Sequence, residues 1–239
     1  MLRVLIYNIM NILILTAHTS NILYDNYGHC DYNDYSSINH IKYCNKNNYS
    51  YLNKIFDETK LEYHPTWIKI TAILEELDNY DYIAWIDSDA IFCTDLKIED
   101  LIIGTEDIVI PKHELDTAND IMWTTTTTGF VIFKNSDYNK NLLRYMLDNM
   151  GECRYGHFHE QTILDIHLRD IFLANGYENL ANIDREDISD NILISNIHLL
   201  KRQYHICNLD EPTLFIYHSS GNLYTKKTRL EEYSSKFNI

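Results

Sequence analysis

The sequence predicts a single α/β domain built on a central, mostly parallel sheet flanked by helices. Three observations carry this. Trp67, Ile70, Leu74 and Leu77, with Ile73 beside them, recur at helical spacing and form a core-facing stripe. A continuous apolar run, Tyr82 to Ile86, follows and has the length of a strand buried on both faces. Further short apolar strands and two more striped helices then alternate, the order expected of βαβ units. No linker, repeat or low-complexity tract interrupts the 239 residues, so one domain over 1–239 is the economical reading, with a core from about 12 to 225 and a tail from 226 to 239.

Taken in order, Met1 to Leu15 is apolar with Arg3 near its front, which resembles a weak signal peptide. Asn8 and Asn11 interrupt it and it is too short to span a bilayer, so Ile12 to Thr16 reads as a first core strand behind a short leader. Ala17 to Asp34 reads as a polar loop. The hydroxyls of Thr16, Thr19 and Ser20 suit either a nucleotide seat at the strand's carboxyl end or an ordinary capped turn. Ser36 to Asn47 reads as a helix, and Tyr49 to Leu52 as an alternating aromatic strand. Pro65, tolerated in a first turn, opens the striped helix, which ends near Asp78 and Asn79. Lys69 falls off the stripe and reads as a phosphate ligand or, more simply, as a solvated surface lysine.

Ile108 to Ile110 is a short strand closed by Pro111. Five threonines, Thr124 to Thr128, lead into an apolar strand from Gly129 to Phe133. Threonines before a glycine offer hydroxyl donors and a close backbone approach to a ligand, although β-branched residues also simply favour strand. Ser136 caps a helix carrying Tyr138, Leu142, Tyr145 and Met146, ended by Gly151. Glu160 and Gln161 open another helix, with the stripe Leu164, Leu168, Ile171 and Phe172 and Gly176 as its C-cap. The helix dipole alone would favour an acidic residue in that first turn. Tyr177 to Asp190 is loop-like. Ile192 to Ile194, Ile197 to Leu200 and Thr213 to Tyr217 are short strands, the last running into His218-Ser219-Ser220-Gly221. Lys226 onward reads as a surface helix or frayed end.

The net charge of -15, with no basic run, excludes a nucleic-acid backbone as partner. An anionic substrate would need a local positive charge, which a bound cation supplies. The five cysteines are odd in number and widely spaced, which fits free thiols in a reducing compartment better than a disulfide framework or a zinc site.

The chemistry concentrates at Asp87-Ser88-Asp89, at the carboxyl end of the Tyr82–Ile86 run. If the strand persists, both carboxylates share one face. Two such charges together favour a divalent cation, and hard oxygen ligands suit Mg2+ or Mn2+. His218, after an apolar strand, is placed to be a third ligand, but spacing alone does not bring it to Asp89. Such a metal most naturally holds substrate phosphates. The glycine-rich signatures of P-loop NTPases and Rossmann dehydrogenases are absent, as is the serine-hydrolase elbow. A glycosidase pair would face each other across a sugar, about 5 to 9 Å apart, rather than share a strand.

Trp85-Ile86-Asp87-Ser88-Asp89-Ala90-Ile91-Phe92 resembles the Asp-x-Asp signature of GT-A (Rossmann-like) nucleotide-sugar glycosyltransferases, in particular the retaining galactosyl-, mannosyl- and xylosyltransferase family of fungal Golgi and plant xyloglucan synthesis. Pro65 to Ile70, Thr128 to Ser136, Glu160 to Leu164 and His218 to Gly221 resemble further motifs of that family, in order. The resemblance implies a retaining, metal-dependent transfer of a hexose or pentose from a nucleotide sugar, UDP-linked by preference, to a glycan, protein or lipid hydroxyl. It implies Mn2+ (or Mg2+) held by Asp87, Asp89 and His218, with Asp87 also near the ribose. Gln161 would lie on the β face of the donor sugar, with Glu160 beside it. Thr16, Lys69, Thr128, Gly129, Gly221 and Lys226 complete the expected donor site.

There are departures from the pattern. Thr127 replaces an Asn, His159 stands where an Asp is common, and the first Lys after His218 is Lys226. No clear membrane anchor or stem is recognisable, so a cytoplasmic enzyme is expected. An inverting transferase using Glu160 or Asp165 as base, and a degenerate carbohydrate-binding scaffold, are the alternatives.

Overall fold

The computed structural model describes residues 10–20, 32–112, 126–155, 159–176, 191–201, 204–206, 215–219 and 223–236. The first strand, β1 (Ile12–Ser20), continues well past Thr16. The expected loop therefore begins as strand, because β1 pairs in parallel with β2 (Ser50–Asp57) all the way from Leu13↔Ser50 to Ser20↔Asp57. Between them lies α1 (Tyr32–Asn47), which starts ahead of Ser36. Strand β2 also outruns its Tyr49–Leu52 expectation; it is a sheet edge, half exposed along most of its length, and Asn53 and Lys54 break the apolar alternation before Ile55 and Phe56.

Pro65–Trp67 forms a 3-10 turn that leads into α2 (Ile68–Glu76), and Leu77–Asn79 forms another at its end. Trp67, Ile70, Ile73 and Leu77 are buried and Leu74 packs against the same core, as their spacing requires. The fully buried β3 (Tyr82–Ile86) stops at Ile86. Asp87 and Asp89 thus lie in a turn beyond it, not on one strand face, and β4 (Ala90–Phe92), too short to register in the sequence, starts immediately afterwards.

The chain continues through β5 (Ile108–Pro111), β6 (Phe130–Lys134) and α3 (Asp137–Asp148), whose Ser136 hydroxyl accepts from the Asn139 amide. Helix α3 buries Leu142, Leu143 and Met146; Tyr145, expected on the stripe, is 54% exposed because Leu143 occupies the core side instead. Then come α4 (His159–Ala174), β7 (Ile192–Ile194), β8 (Ile197–Leu200), β9 (His205–Ile206), β10 (Ile216–His218) and α5 (Leu223–Lys236). Gly176 follows α4 at φ 85, a left-handed conformation that only glycine adopts freely.

The larger sheet has seven strands in the order β2-β1-β3-β6-β5-β8-β7. Strands β2, β1, β3, β5 and β8 share one direction, while β6 and β7 run against it. A smaller sheet, β4-β10-β9, pairs β10 antiparallel to β4 and parallel to β9.

Alternation along β1 divides the core. Leu13, Leu15 and Ala17 face a layer containing Trp67, Ile73, Leu143, Leu168 and Phe172. Ile12 and Ile14 face the opposite layer, with Tyr43, Phe92, Ile98 and Phe215. Each such side chain contributes about 1.5–3 kcal/mol by leaving water. Helix α5 has one buried side: Leu230 and Tyr233 pack on Ile91, Cys93 and Tyr217, with the Tyr217 and Tyr233 rings stacked at 4.2 Å. Among the described residues Cys44, Cys93 and Cys153 form no disulfide, and no helix is long and apolar enough to cross a membrane. Cys30 and Cys207 lie outside the described residues.

Candidate functional site

The two carboxylates meet through the turn after β3. The Ala90 amide donates to the Asp87 carbonyl at 3.0 Å, closing it. On one side the Asp87 amide donates to the Gly129 carbonyl at 2.9 Å, where β6 begins beside the end of β3. On another, the Ser219 amide donates to the Asp89 carbonyl at 2.9 Å, and His218 pairs with Ala90 across β10 and β4. This ladder delivers His218 to the turn: its Nε2 lies 2.9 Å from Asp89 Oδ1 and 3.8 Å from Asp87 Oδ2.

Asp87, Asp89 and His218 each offer one ligand atom, all within 4.8 Å of one another. Ligands at right angles on a metal with bonds of about 2.1 Å stand about 3.0 Å apart, and opposed ones about 4.2 Å apart. The 2.9 and 3.8 Å separations from His218 fall at and between those values, and the 4.8 Å span of the whole set leaves the carboxylates to draw in by about 0.6 Å around an ion. Two carboxylate oxygens and one imidazole nitrogen suit Mn2+ better than Mg2+ and lack the thiolates of structural zinc sites. The three side chains keep 24%, 11% and 21% exposure, which leaves an open side for water or phosphate oxygens.

Asp87 is shared between two environments. Its Oδ1 accepts from the Trp85 indole at 2.6 Å and pairs with the Lys69 ammonium at 3.2 Å, which leaves Oδ2 as the atom towards His218. Lys69 is buried, not solvated. Its ammonium donates to the Thr128 carbonyl at 2.9 Å, the Thr128 hydroxyl at 3.0 Å and Glu160 Oε1 at 2.8 Å. Two carboxylates on other segments stabilise a charge that the helix spacing alone would send to solvent. Burial opposes that charge, but Asp87 and Glu160 more than offset it and raise the lysine pKa. With these partners engaged, Lys69 holds protein carboxylates rather than facing outward as a phosphate ligand.

Gln161 and Glu160 stand in the first turn of α4, on the other side of Thr128. Gln161 Oε1 accepts from the Thr128 amide at 3.2 Å and lies 3.3 Å from its hydroxyl; the Thr128 hydroxyl also lies 3.0 Å from Glu160 Oε1. Because a backbone N–H can only donate, the Gln161 oxygen must face Thr128 and its NH2 is the free end. His159, before Glu160, has φ 34 and stacks its ring on His64 at 3.7 Å. Burial, followed by the neighbouring His159, lowers the His64 pKa, and Glu160 partly opposes this.

The other expected residues divide. Gly129 makes room for imidazoles: a Cβ there would lie 2.6 Å from both His205 Nε2 and His218 Nδ1. Thr16 is buried in mid-strand, 1% exposed, since β1 runs on to Ser20; the hydroxyl nearer the strand end, Thr19, bonds Glu58 instead. Thr16 follows the Leu15↔Trp85 pair and so lies level with the end of β3, beside the acidic turn. Gly221 lies outside the described residues, and Lys226 belongs to α5 without a described side chain. Asp165 is buried, its Oδ1 accepting from the Thr126 amide and hydroxyl. Neither Trp85, quoted only as the start of the acidic motif, nor His205 was given a role from the sequence. Trp85 could have been suspected, two residues before Asp87, but nothing linear connects His205 to His218.

The family model of galactosyl transferases, GMA12/MNN10 family, matches residues 8–126, about half of the chain. The chain is a glycosyltransferase, with a fold of the GT-A type. That matched stretch holds Asp87, Asp89 and Lys69, while Thr128, Gln161 and His218 lie beyond it. Among solved structures, this glycosyltransferase is similar to one involved in the glycosylation of the major capsid of PBCV-1, at 12% identity and a TM-score of 0.60, over 92% of this chain and 98% of that one. It is also similar to the WbbM bifunctional glycosyltransferase, at 12% identity and a TM-score of 0.55, over 94% of this chain and 52% of that one. At such identities the likeness speaks for the fold. A search of curated proteins found no match.

Proposed function

We propose that this glycosyltransferase moves a hexose or pentose from a UDP-linked donor to a hydroxyl of a glycan, protein or lipid, with retention and with Mn2+. The observation that carries the reading is the convergence of Asp87, Asp89 and His218 at the sheet edge where Gly129, Thr128 and Gln161 also gather. When bound, the cation would neutralise the leaving diphosphate as a Lewis acid. Asp89 and His218 would hold it directly, and Asp87 through Oδ2, while Trp85 and Lys69 keep Oδ1 fixed. Gln161 would present its amide to the donor sugar, oriented by Thr128. Glu160 uses Oε1 for Lys69 and Thr128, which leaves Oε2 for a sugar hydroxyl.

The inverting alternative gains nothing from this arrangement. Glu160 is neutralised by Lys69 and Asp165 is hydrogen-bonded to Thr126, so neither resembles a free base. We further infer one catalytic domain in a reducing, cytoplasmic setting, which the odd number and wide spacing of the five cysteines support.

A screen of UDP- and GDP-sugars with Mn2+, read as released nucleotide, tests the donor, and the product anomer by NMR tests retention. Asp89→Ala should abolish metal-dependent donor hydrolysis and transfer. Full activity in that variant refutes the assignment. If calorimetry finds no Mn2+-dependent binding of UDP, the degenerate scaffold takes its place.

A further inference from the structure

We propose that Ser36, Asn39 and His40 of α1 are positioning residues that set the geometry of the metal-binding turn; this rests on the metal reading above. Strand β4 is an edge of its small sheet, with β10 on one side and no strand on the other among the described residues. Its outer edge is paired by helix side chains instead. The Ser36 hydroxyl donates to the Ser88 carbonyl at 2.6 Å, and His40 Nε2 bonds the Ala90 carbonyl at 2.8 Å. Asn39 bonds Phe92 twice, its amide donating to the carbonyl at 2.9 Å and its oxygen accepting from the N–H at 2.8 Å. Ala90 and Phe92 alternate along β4, so their polar groups line its outer edge, and Ser88 lies in the turn just before it, so the same helix face holds both strand and turn.

The three helix residues stand at i, i+3 and i+4, on one face, and are 1%, 4% and 0% exposed. Burying three polar side chains where a packing helix would carry Leu or Ile is costly unless each bond is made. Their position explains the choice. Asp87 and Asp89 flank Ser88, so fixing the carbonyls of Ser88 and Ala90 fixes where the two carboxylates point. With β10 holding the Asp89 carbonyl from the other side, the turn is clamped between a helix and a strand. Ligands must be held to within about 0.5 Å for an ion to bind well.

The test is Mn2+ affinity without donor, followed by the EPR signal of free Mn2+, together with melting temperature. Ser36→Ala and His40→Leu should weaken binding about 10–100-fold. His40→Gln, whose amide N–H can reach the same carbonyl, should restore most of it. Met146→Ala, which makes a cavity in the opposite layer, should lower the melting temperature yet leave affinity within about 2-fold. Ser36→Ala binding like wild type overturns the inference even if His40→Leu does not fold. Weakening by Met146→Ala as large as by Ser36→Ala also overturns it. No Mn2+ binding by the wild-type chain would instead bring down the metal reading, and this inference with it.

Discussion

Replacing Lys69 by Met keeps the length of the side chain and removes its charge. The ammonium is 5% exposed as a residue and stands between Glu160, 4% exposed, and the more open Asp87. Removing one partner of a buried ion pair costs about 3–5 kcal/mol, because the other charge stays behind without compensation. Here two carboxylates are left, but Asp87 is screened by solvent and keeps its Trp85 bond, so Glu160 carries most of the cost. For a chain of this size each kcal/mol lowers the melting temperature by roughly 2–4 °C, which gives a drop of about 6–20 °C. Urea unfolding followed by tryptophan fluorescence measures it. A cycle with Glu160→Gln separates charge from packing: the double variant should be more stable than Lys69→Met alone, since the stranded charge is gone. If Lys69→Met costs less than about 1 kcal/mol, or if the second substitution only adds its own penalty, the buried cation does not organise this side of the site.

Gly129→Ala should leave the sheet intact but displace His218 or His205, since its methyl would fall 2.6 Å from each ring; a displacement near 1 Å can cost about 100-fold, read as activity at saturating donor. Tyr233→Ala should cost about 3 kcal/mol by opening the stack on Tyr217, and calorimetric melting together with weaker Mn2+ binding would trace the loss to β10. His40 gives a pH signature. Burial, partly opposed by the Ala90 carbonyl, brings its pKa from 6.5 down to about 4, so between these values only the unfolded chain takes up its proton. Stability therefore falls as pH drops through that window, by up to about 3 kcal/mol from this group, and is unaffected by it above pH 6.5. Denaturation of His40→Gln should be flatter over the window, and an unchanged slope would contradict the assignment.

What could be read in the linear chain depended on how far apart its causes lay. Helices α2 and α4 and strands β3 and β6 announced themselves because their apolar side chains recur within a few residues, the helices facing one packed layer and the strands buried on both faces. The outer half of β1 did not, since His18 and Thr19 make polar contacts with Asn53 and Glu58 that look like loop chemistry. Lys69 was misplaced for a related reason: its counter-charges lie on other elements, and helix spacing says only which side of the stripe it leaves from. The acidic turn and His218 were picked out by residue type, but their meeting depends on β4 and β10, three residues each, whose pairing leaves almost no periodic trace. The polar face of α1 was invisible because buried Ser, Asn and His resemble an exposed face until the edge they serve is known.

The seven strands of the larger sheet are complete by Leu200, whereas His218 arrives with the last segments, β9, β10 and α5. A chain leaving the ribosome at about 5–20 residues per second has its main scaffold in hand some seconds before it has its full ligand set. Until then the proposed cation would meet Asp87 and Asp89 alone, a two-carboxylate site with water in place of imidazole. Synthesis of β10 is thus the step that completes the proposed ligand set, and a chain cut short after β8 would hold every strand of the larger sheet while lacking His218.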